Sequence, residues 1–395
     1  MITGIQIRNY KGIKNMSRLD LGRFHVLVGP NGSGKSTFLD AIEFIKDCVT
    51  DGPLRAVEMR VPDFLDLTFG RKGGPIEFEL RLSIARTPDA KPETFDYRLV
   101  ISRDDRNGVV VKDEVLAYAD VPAEHRREKR ILGKTQTGND FYRRESGTYT
   151  DSFQFGPTKL ALSLTPPDIQ RYPTGNAIKE FLSRGVRFVQ LDSVGMRSPA
   201  AATRPADLEL DGTNLPRVVG SMLRSSPEES RPNGEKSPIS RWTEHLRYAL
   251  EDLESIGWAA RKPDNAEYLV LKFKGGLECP NRLLSDGTLR MLALTVSAFL
   301  PSSQSVYMVE EPENGVHPYA LEIILKALAA IPEAQVFVAT HSPLVVQQIG
   351  VKALLCFTRN EKRGVSIIHG SDHPALRHWD GSPDLASIFE SRVLG

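Results

Sequence analysis

The chain has 395 residues, with 51 Lys and Arg against 50 Asp and Glu, a formal charge of +1. That balance excludes a globally basic nucleic-acid binder and leaves only a local patch as a route to nucleic acid. With 40% apolar and 26% charged residues the composition is that of an ordinary soluble domain, and no apolar run reaches the ~18 residues a membrane span needs.

Cys48, Cys279 and Cys356 are widely separated and odd in number, so neither a zinc site nor a disulfide framework is expected. The N-terminus has no charged-then-apolar signal segment. The expected compartment is the cytoplasm, with no membrane partner.

In chain order, a short strand at 2–7, a turn over 9–12 and another short strand lead into Phe24-His-Val-Leu-Val28. This apolar run enters Gly29-Pro-Asn-Gly-Ser-Gly-Lys-Ser36, and Leu39, Ile42 and Ile45 then recur at helical spacing. Residues 76–82, 95–101 and 109–112 alternate as antiparallel strands do, and 122–150 read as polar hairpins, basic in their first half. Residues 224–238, rich in Ser, Pro and charge, have the composition of a mobile surface loop. A helix is expected over 242–253 and a strand over 268–273. From 283 onward helices at 288–300, 318–331 and 343–349 alternate with strands at 305–309 and 335–339, the pattern of a mostly parallel α/β sheet. The two ends of this α/β pattern are separated by a long insertion without heptads, so no coiled-coil arm is expected.

The chemistry starts at residues 29–36, which fit G-x-x-x-x-G-K-S in the strand–loop–helix context the motif requires. Gly29, Gly32 and Gly34 let the backbone curl so that its N–H groups face phosphate oxygens, with the helix N-terminus adding positive potential. Pro30, Asn31, Ser33 and Thr37 complete the loop. Lys35 is placed to reach the β- and γ-phosphates of ATP, and the Ser36 hydroxyl to ligate Mg²⁺.

The strand at 305–309 ends in Glu310-Glu311. Glu310 is the expected Mg²⁺ ligand, through water, and Glu311 the base that activates the attacking water. The strand at 335–339 delivers His341 to the same edge as a γ-phosphate sensor. Ser285-Asp-Gly-Thr288 precedes an apolar helix. It reads either as a plain N-cap or as a second anion-binding helix start, with Ser285 and Asp286 capping and Gly287 baring the backbone before Thr288.

These motifs in this order, with Glu-Glu-Pro-Glu-Asn-Gly-Val-His-Pro and Thr-His-Ser-Pro, resemble the ABC-type ATPases of the RecF, SMC and OLD group. Ile5-Gln-Ile-Arg-Asn-Tyr-Lys-Gly-Ile resembles that group's first strand and turn, and Leu208-Glu-Leu-Asp-Gly-Thr-Asn-Leu-Pro is similar to a segment of its small bacterial members. The resemblance implies an α/β P-loop NTPase with a split ABC-type head, an N-terminal antiparallel β subdomain and an inserted α+β lobe. The expected division is 1–120 for the first part of the head, 121–275 for the lobe and 276–395 for the rest. It also implies a head-to-tail homodimer in which 285–288 of one copy close on the γ-phosphate held by 29–36 of the other. Asn314 to His317 would then form the D-loop at the seam, and His341 the switch histidine. Glu310 stands where ABC proteins commonly place Asp, and no residue is assigned to a Q-loop.

OLD-type proteins carry a C-terminal Toprim nuclease. The 54 residues after His341 are too few for one, and Asp372, Asp380 and Asp384 form no strand-bound acidic cluster. The expected role is an ATPase that senses or regulates through a separate effector, a nuclease or toxin, in bacterial antiphage defence. The alternative is a RecF-like DNA-binding clamp or repair accessory. It would use the basic stretch 126–144, with Arg126, Arg127, Lys129, Arg130, Lys134, Arg143 and Arg144, and with Phe141 and Tyr142 stacking on bases. A transporter ATPase subunit is disfavoured by the departure of Ser-Asp-Gly-Thr from the transporter signature.

Overall fold

Strict in–out alternation over residues 76–84 seeds the largest element of the molecule, a nine-stranded antiparallel sheet. The computed structural model describes residues 1–87, 90–106, 108–119, 130–134, 139–143, 150–225, 236–262, 264–301 and 303–376. These fall into two compact units, one formed by 1–187, 304–307 and the chain from 350, the other by 188–303 and 308–349.

The first unit opens with β1 (Ile2–Tyr10), β2 (Ile13–Asn15), β3 (Leu19–Asp20) and β4 (Phe24–Val28), followed by α1 (Lys35–Thr50) and α2 (Pro53–Glu58). Then come β5 (Ile76–Ile84), β6 (Glu93–Asp104), β7 (Gly108–Tyr118), β8 (Arg130–Lys134), β9 (Asn139–Arg143), β10 (Thr150–Gln154), α3 (Pro173–Glu180) and β11 (Val186–Val189), whose last two residues belong to the second unit. The sheet order is β10-β9-β8-β7-β6-β5-β1-β2, with β3 also on β1. Register aligns one continuous buried row across six strands: Ile5, Leu80, Tyr97, Leu116, Leu132 and Tyr142. A one-residue slip would turn this row to the opposite face, so burial itself fixes the pairing.

Helix α1 lies on that apolar face. Phe44 meets Tyr10 at 5.4 Å and Phe78 at 5.7 Å between ring centroids. Deeper in the sheet, Glu114 on β7 is fully buried. It accepts the Tyr97 hydroxyl at 2.9 Å and the backbone N–H groups of Ala161 at 2.5 Å and Leu162 at 3.0 Å. Burial pushes its carboxyl up to about 7, against the pull of those donors and of Lys134.

The second unit contains α4 (Leu215–Ser225), α5 (Pro238–Leu246), the antiparallel β12 (Leu253–Arg261), β13 (Ala266–Phe273) and β14 (Leu277–Pro280), and α6 (Asp286–Val296). Next are β15 (Ser305–Glu310), whose last three residues belong to this unit, α7 (Pro318–Ala330), β16 (Ala334–Ala339) and α8 (Pro343–Gln348). The chain then returns to the first unit as β17 (Leu354–Asn360) and β18 (Gly364–His369). There β17 lies parallel to β4 and antiparallel to β18.

Several expectations are corrected. The helix expected over 242–253 starts at Pro238, where the Ser237 hydroxyl caps it by accepting from Ser240 N–H at 3.2 Å, and it stops at Leu246. Leu253 instead opens a strand, hidden from pattern reading because a register shift between Leu253 and Ser255 breaks the alternation. Arg224, read as part of a loop, lies in the last turn of α4. Its guanidinium sits 4.7 Å from the Trp258 ring centroid and 3.3 Å from the buried Glu267 carboxylate. Residues 226–235 lie outside the described residues, as do 126–129, 144, 380 and 384. Of the basic stretch, Lys134 is only 5% exposed, and Tyr142 is 1% exposed with its hydroxyl on Ala161 O at 2.7 Å. Lys134 therefore cannot contribute to a surface patch, nor Tyr142 stack on a base.

Candidate functional site

The phosphate cradle belongs to the first unit. Strand β4 is buried at its last four residues and releases the chain at Gly29. Gly29, Gly32 and Gly34 have φ of 147°, 74° and 108°, values an L side chain rarely adopts. Two of them are also hemmed in. A Cβ on Gly29 would lie 2.4 Å from Phe357 O on β17, and one on Gly34 would lie 2.5 Å from Val365 Cγ2 on β18. Neighbouring strands thus press the loop into shape, and only glycine fits the two contacts.

Gly34 is the N-cap of α1 and gives it no side-chain cap, so the first-turn N–H groups are left for an anion. Pro30, Asn31, Gly32 and Ser36 are exposed, and Thr37 is half-buried. Ser33 Oγ is buried with no hydrogen-bond partner among the described residues. The buried Lys35 ammonium donates to the loop's own carbonyls, Gly29 O at 2.7 Å and Pro30 O at 3.2 Å, which leaves it curled over the cradle.

A charged network anchors the outer side of α1. Asp40 accepts from the Tyr10 hydroxyl at 2.5 Å, Lys11 Nζ at 2.5 Å and Arg60 Nε at 2.6 Å, while Arg60 Nη1 reaches Asp47 at 2.7 Å. Burial alone would raise the Asp40 carboxyl, but Arg60 and Lys11 outweigh it and hold it below its ordinary value. The helix that carries Lys35 and Ser36 is therefore tied to β1 and to the turn after α2.

The carboxylates, the histidine and the Ser285 turn belong to the second unit and form one cluster. Glu310 ends β15, and its Oε1 is shielded from solvent with no hydrogen-bond partner among the described residues. An orphaned carboxylate oxygen beside a strand end fits a hard cation or its water shell, as the exposed Ser36 hydroxyl does in the first unit.

At Glu311 the backbone turns sharply, with φ 47°, a conformation that costs a non-glycine residue roughly 1–3 kcal/mol. Three bonds hold it: Glu311 N–H to Ala339 O at 2.8 Å, Asn314 N–H to Glu311 O at 3.1 Å and Arg290 Nη2 to Glu311 O at 3.4 Å. The Glu311 carboxylate accepts from Asn314 Nδ2 at 2.5 Å. The kink explains how two consecutive strand residues can serve one place: Glu311 has already left the pleat.

Ser285 is the N-cap of α6. Its Oγ accepts from Thr288 N–H at 3.1 Å and lies 2.8 Å from Thr288 Oγ1. Asp286 is the first helical residue rather than a cap, and it pairs with Arg197 at 2.5 Å. Gly287 is required by close packing, since a Cβ there would lie 2.3 Å from Gly315 O. The Ser285 turn and the 311–317 turn are thus in contact.

Sequence reasoning missed three supporting residues. Glu313 Oε1 accepts from Thr340 Oγ1 at 2.6 Å and from His341 N–H at 3.1 Å. Arg197 also donates to Leu284 O at 3.0 Å, and Asn281 Nδ2 donates to Met196 O at 2.8 Å. Glu313 sits in the quoted Glu-Glu-Pro-Glu run, a signal that could have singled it out. Arg197 and Asn281 have no local pattern that could.

A strand, glycine cradle and helix with a buried loop lysine, accompanied by strand-end carboxylates, define a P-loop ATPase. The chain belongs to the family described as "AAA domain, putative AbiEii toxin, Type IV TA system", whose model matches residues 24–347. A second model, the P-loop containing region of AAA domains, matches residues 2–45. The chain is accordingly an ATP-hydrolysing enzyme, as its motifs led us to expect.

No curated protein matches the chain. Among solved structures it is similar to an SMC head bound to the C-winged helix domain of ScpA, at TM-score 0.49 and 15% identity over 93% of this chain and 96% of that one. It is also similar to an Smc head with an extended coiled coil bound to the C-terminal domain of ScpA, derived from Pyrococcus furiosus (0.47, 15%, 93% and 95%). A third is the SMC head domain from Thermotoga maritima (0.45, 13%, 93% and 98%). No helix among the described residues is long and apolar enough to cross a membrane.

Proposed function

We propose that the chain is an ATP-hydrolysing head that pairs with a second copy across shared nucleotide sites and passes its nucleotide state to a separate protein partner. The observation that carries this reading is the α6 start. Ser285 and Asp286 are exposed at a helix N-terminus held rigid by Arg197 on one side and by the Gly287–Gly315 packing on the other. A firm, outward-facing helix start is suited to an anion that a second copy of the chain presents.

In this reading the loop N–H groups and Lys35 hold the β- and γ-phosphates, and Ser36 and Glu310 hold Mg²⁺. When bound, that ion would neutralise phosphate charge in the transition state. Glu311 takes a proton from the attacking water, His341 faces the γ-phosphate, and residues 285–288 of a second copy close the site. Turnover is slow without a trigger, because half of each site is borrowed.

A RecF-like role on DNA stands beside control of a nuclease or toxin. The toxin–antitoxin wording of the family bears on the second of these. Light scattering on purified Glu311→Gln with and without ATP tests the shared-site model. The mass is expected to double with ATP, and a monomer at saturating ATP overturns the model. Salt-dependent DNA affinity, compared with the partner recovered by affinity purification, then separates the two roles.

A further inference from the structure

Glu313 does more than follow the two site carboxylates in sequence. One of its oxygens takes two donors from the end of β16, Thr340 Oγ1 at 2.6 Å and His341 N–H at 3.1 Å. The other oxygen is shielded from solvent with no hydrogen-bond partner among the described residues. On the other side of Pro312, the Glu311 N–H binds Ala339 O at 2.8 Å and its carboxylate is held by Asn314. The turn after β15 is therefore stitched to the turn after β16 through its backbone at one point and through the Glu313 side chain at the other.

We infer that Glu313 is a positioning residue that locks the His341 loop to the Glu311 turn, so that base and histidine move as one body during hydrolysis. The inference rests on the reading of Glu311 as base and His341 as the γ-phosphate contact. Hydrogen bonds to a carboxylate are the stronger kind, and two on one oxygen leave the Thr340–His341 peptide little freedom. Without them, His341 remains attached to a buried strand but its N–H loses its anchor, and the angle at which the loop leaves β16 is no longer set. Glu313 touches no reacting atom in this scheme, so its loss should spare binding and slow turnover.

The test uses the full chain. Glu313→Ala is expected to lower kcat about 10- to 100-fold, the worth of a lost charged hydrogen bond, with ATP affinity unchanged within about twofold. Hydrogen exchange is expected to lose protection at 340–342 while 334–338 stay protected. Glu313→Gln, whose amide oxygen can accept from the same two donors, is expected to restore both readouts. An alanine variant with unaltered kcat, or with unaltered protection at 340–342, overturns the inference. If Glu313→Ala does not fold, the isosteric Thr340→Val carries the test. Because the Thr340 hydroxyl also accepts from Ser342 N–H at 2.9 Å, protection is read at 341, where this variant is expected to lose it, with kcat, while Glu313→Gln does not, and equal behaviour of these two overturns the inference. Glu311→Gln measured in parallel keeps the two ideas apart. Hydrolysis that survives it breaks the underlying reading, whereas its loss beside full activity in Glu313→Ala breaks only the lock.

Discussion

The cradle of the first unit and the carboxylate turn of the second solve the problem of holding a fixed shape by opposite means. In the cradle the backbone does the work. Three glycines take positive φ, two of them leave room for Phe357 O and Val365, and α1 has no side-chain cap. In the turn the side chains do it. Ser285 caps, Arg197 and Asn281 brace, Glu313 and Asn314 tie, and Glu311 is held in a conformation it would not choose alone. A site shaped by absent side chains tolerates no additions, whereas a site built from side chains can be loosened one bond at a time.

The largest expected break is Glu311→Gln. Removing the base of the proposed mechanism costs about 10²–10⁴-fold in rate, so kcat for ATP should fall by that much while a fluorescent ATP analogue still binds. Lys35→Ala attacks the other region and should show the reverse emphasis. Loss of the charged phosphate donor that Lys35 is proposed to be is expected to weaken nucleotide affinity on the order of a hundredfold in a binding titration.

Proton dependence sharpens the contrast within the first unit. Glu114 has a folded value of about 7 against an ordinary 4.5, so between those values the folded chain binds more protons than the unfolded one. Its contribution is fully favourable below about 4.5 and declines as pH rises through about 7. Denaturant titrations should show a loss of up to roughly 3 kcal/mol over that window, and Glu114→Gln should flatten it. The smallest expected effect is Ser285→Ala, where loss of one helix cap removes about 1 kcal/mol in thermal unfolding and leaves ATP binding to an isolated subunit unchanged.

The same contrast explains what could be read from the sequence. The cradle was legible because glycines at fixed offsets and an apolar strand before them are local signals, and β4 falls on residues 24–28 as expected. Glu310 and Glu311 were legible as the end of a buried strand. Glu313 was visible but carried no assignment, because its partners Thr340 and His341 lie on another strand end. Arg197 and Asn281 could not be found at all. Their importance comes from carbonyls at Leu284 and Met196 that only the fold brings near. The strand β12 was lost to a bulge, and β17 to a short apolar run that no period marks.

One feature of the cradle bears on how the protein is made. Gly34 is synthesised 331 residues before Val365, which presses against it. At roughly 5–20 residues per second the nascent loop waits on the order of half a minute for the strand pair that shapes it. Throughout synthesis of the intervening residues the loop lacks the packing that sculpts it, so an unfinished chain is a poor nucleotide trap. The carboxylate turn at 311–317 precedes β18 in the chain, so of the two regions it is the cradle whose packing is completed last.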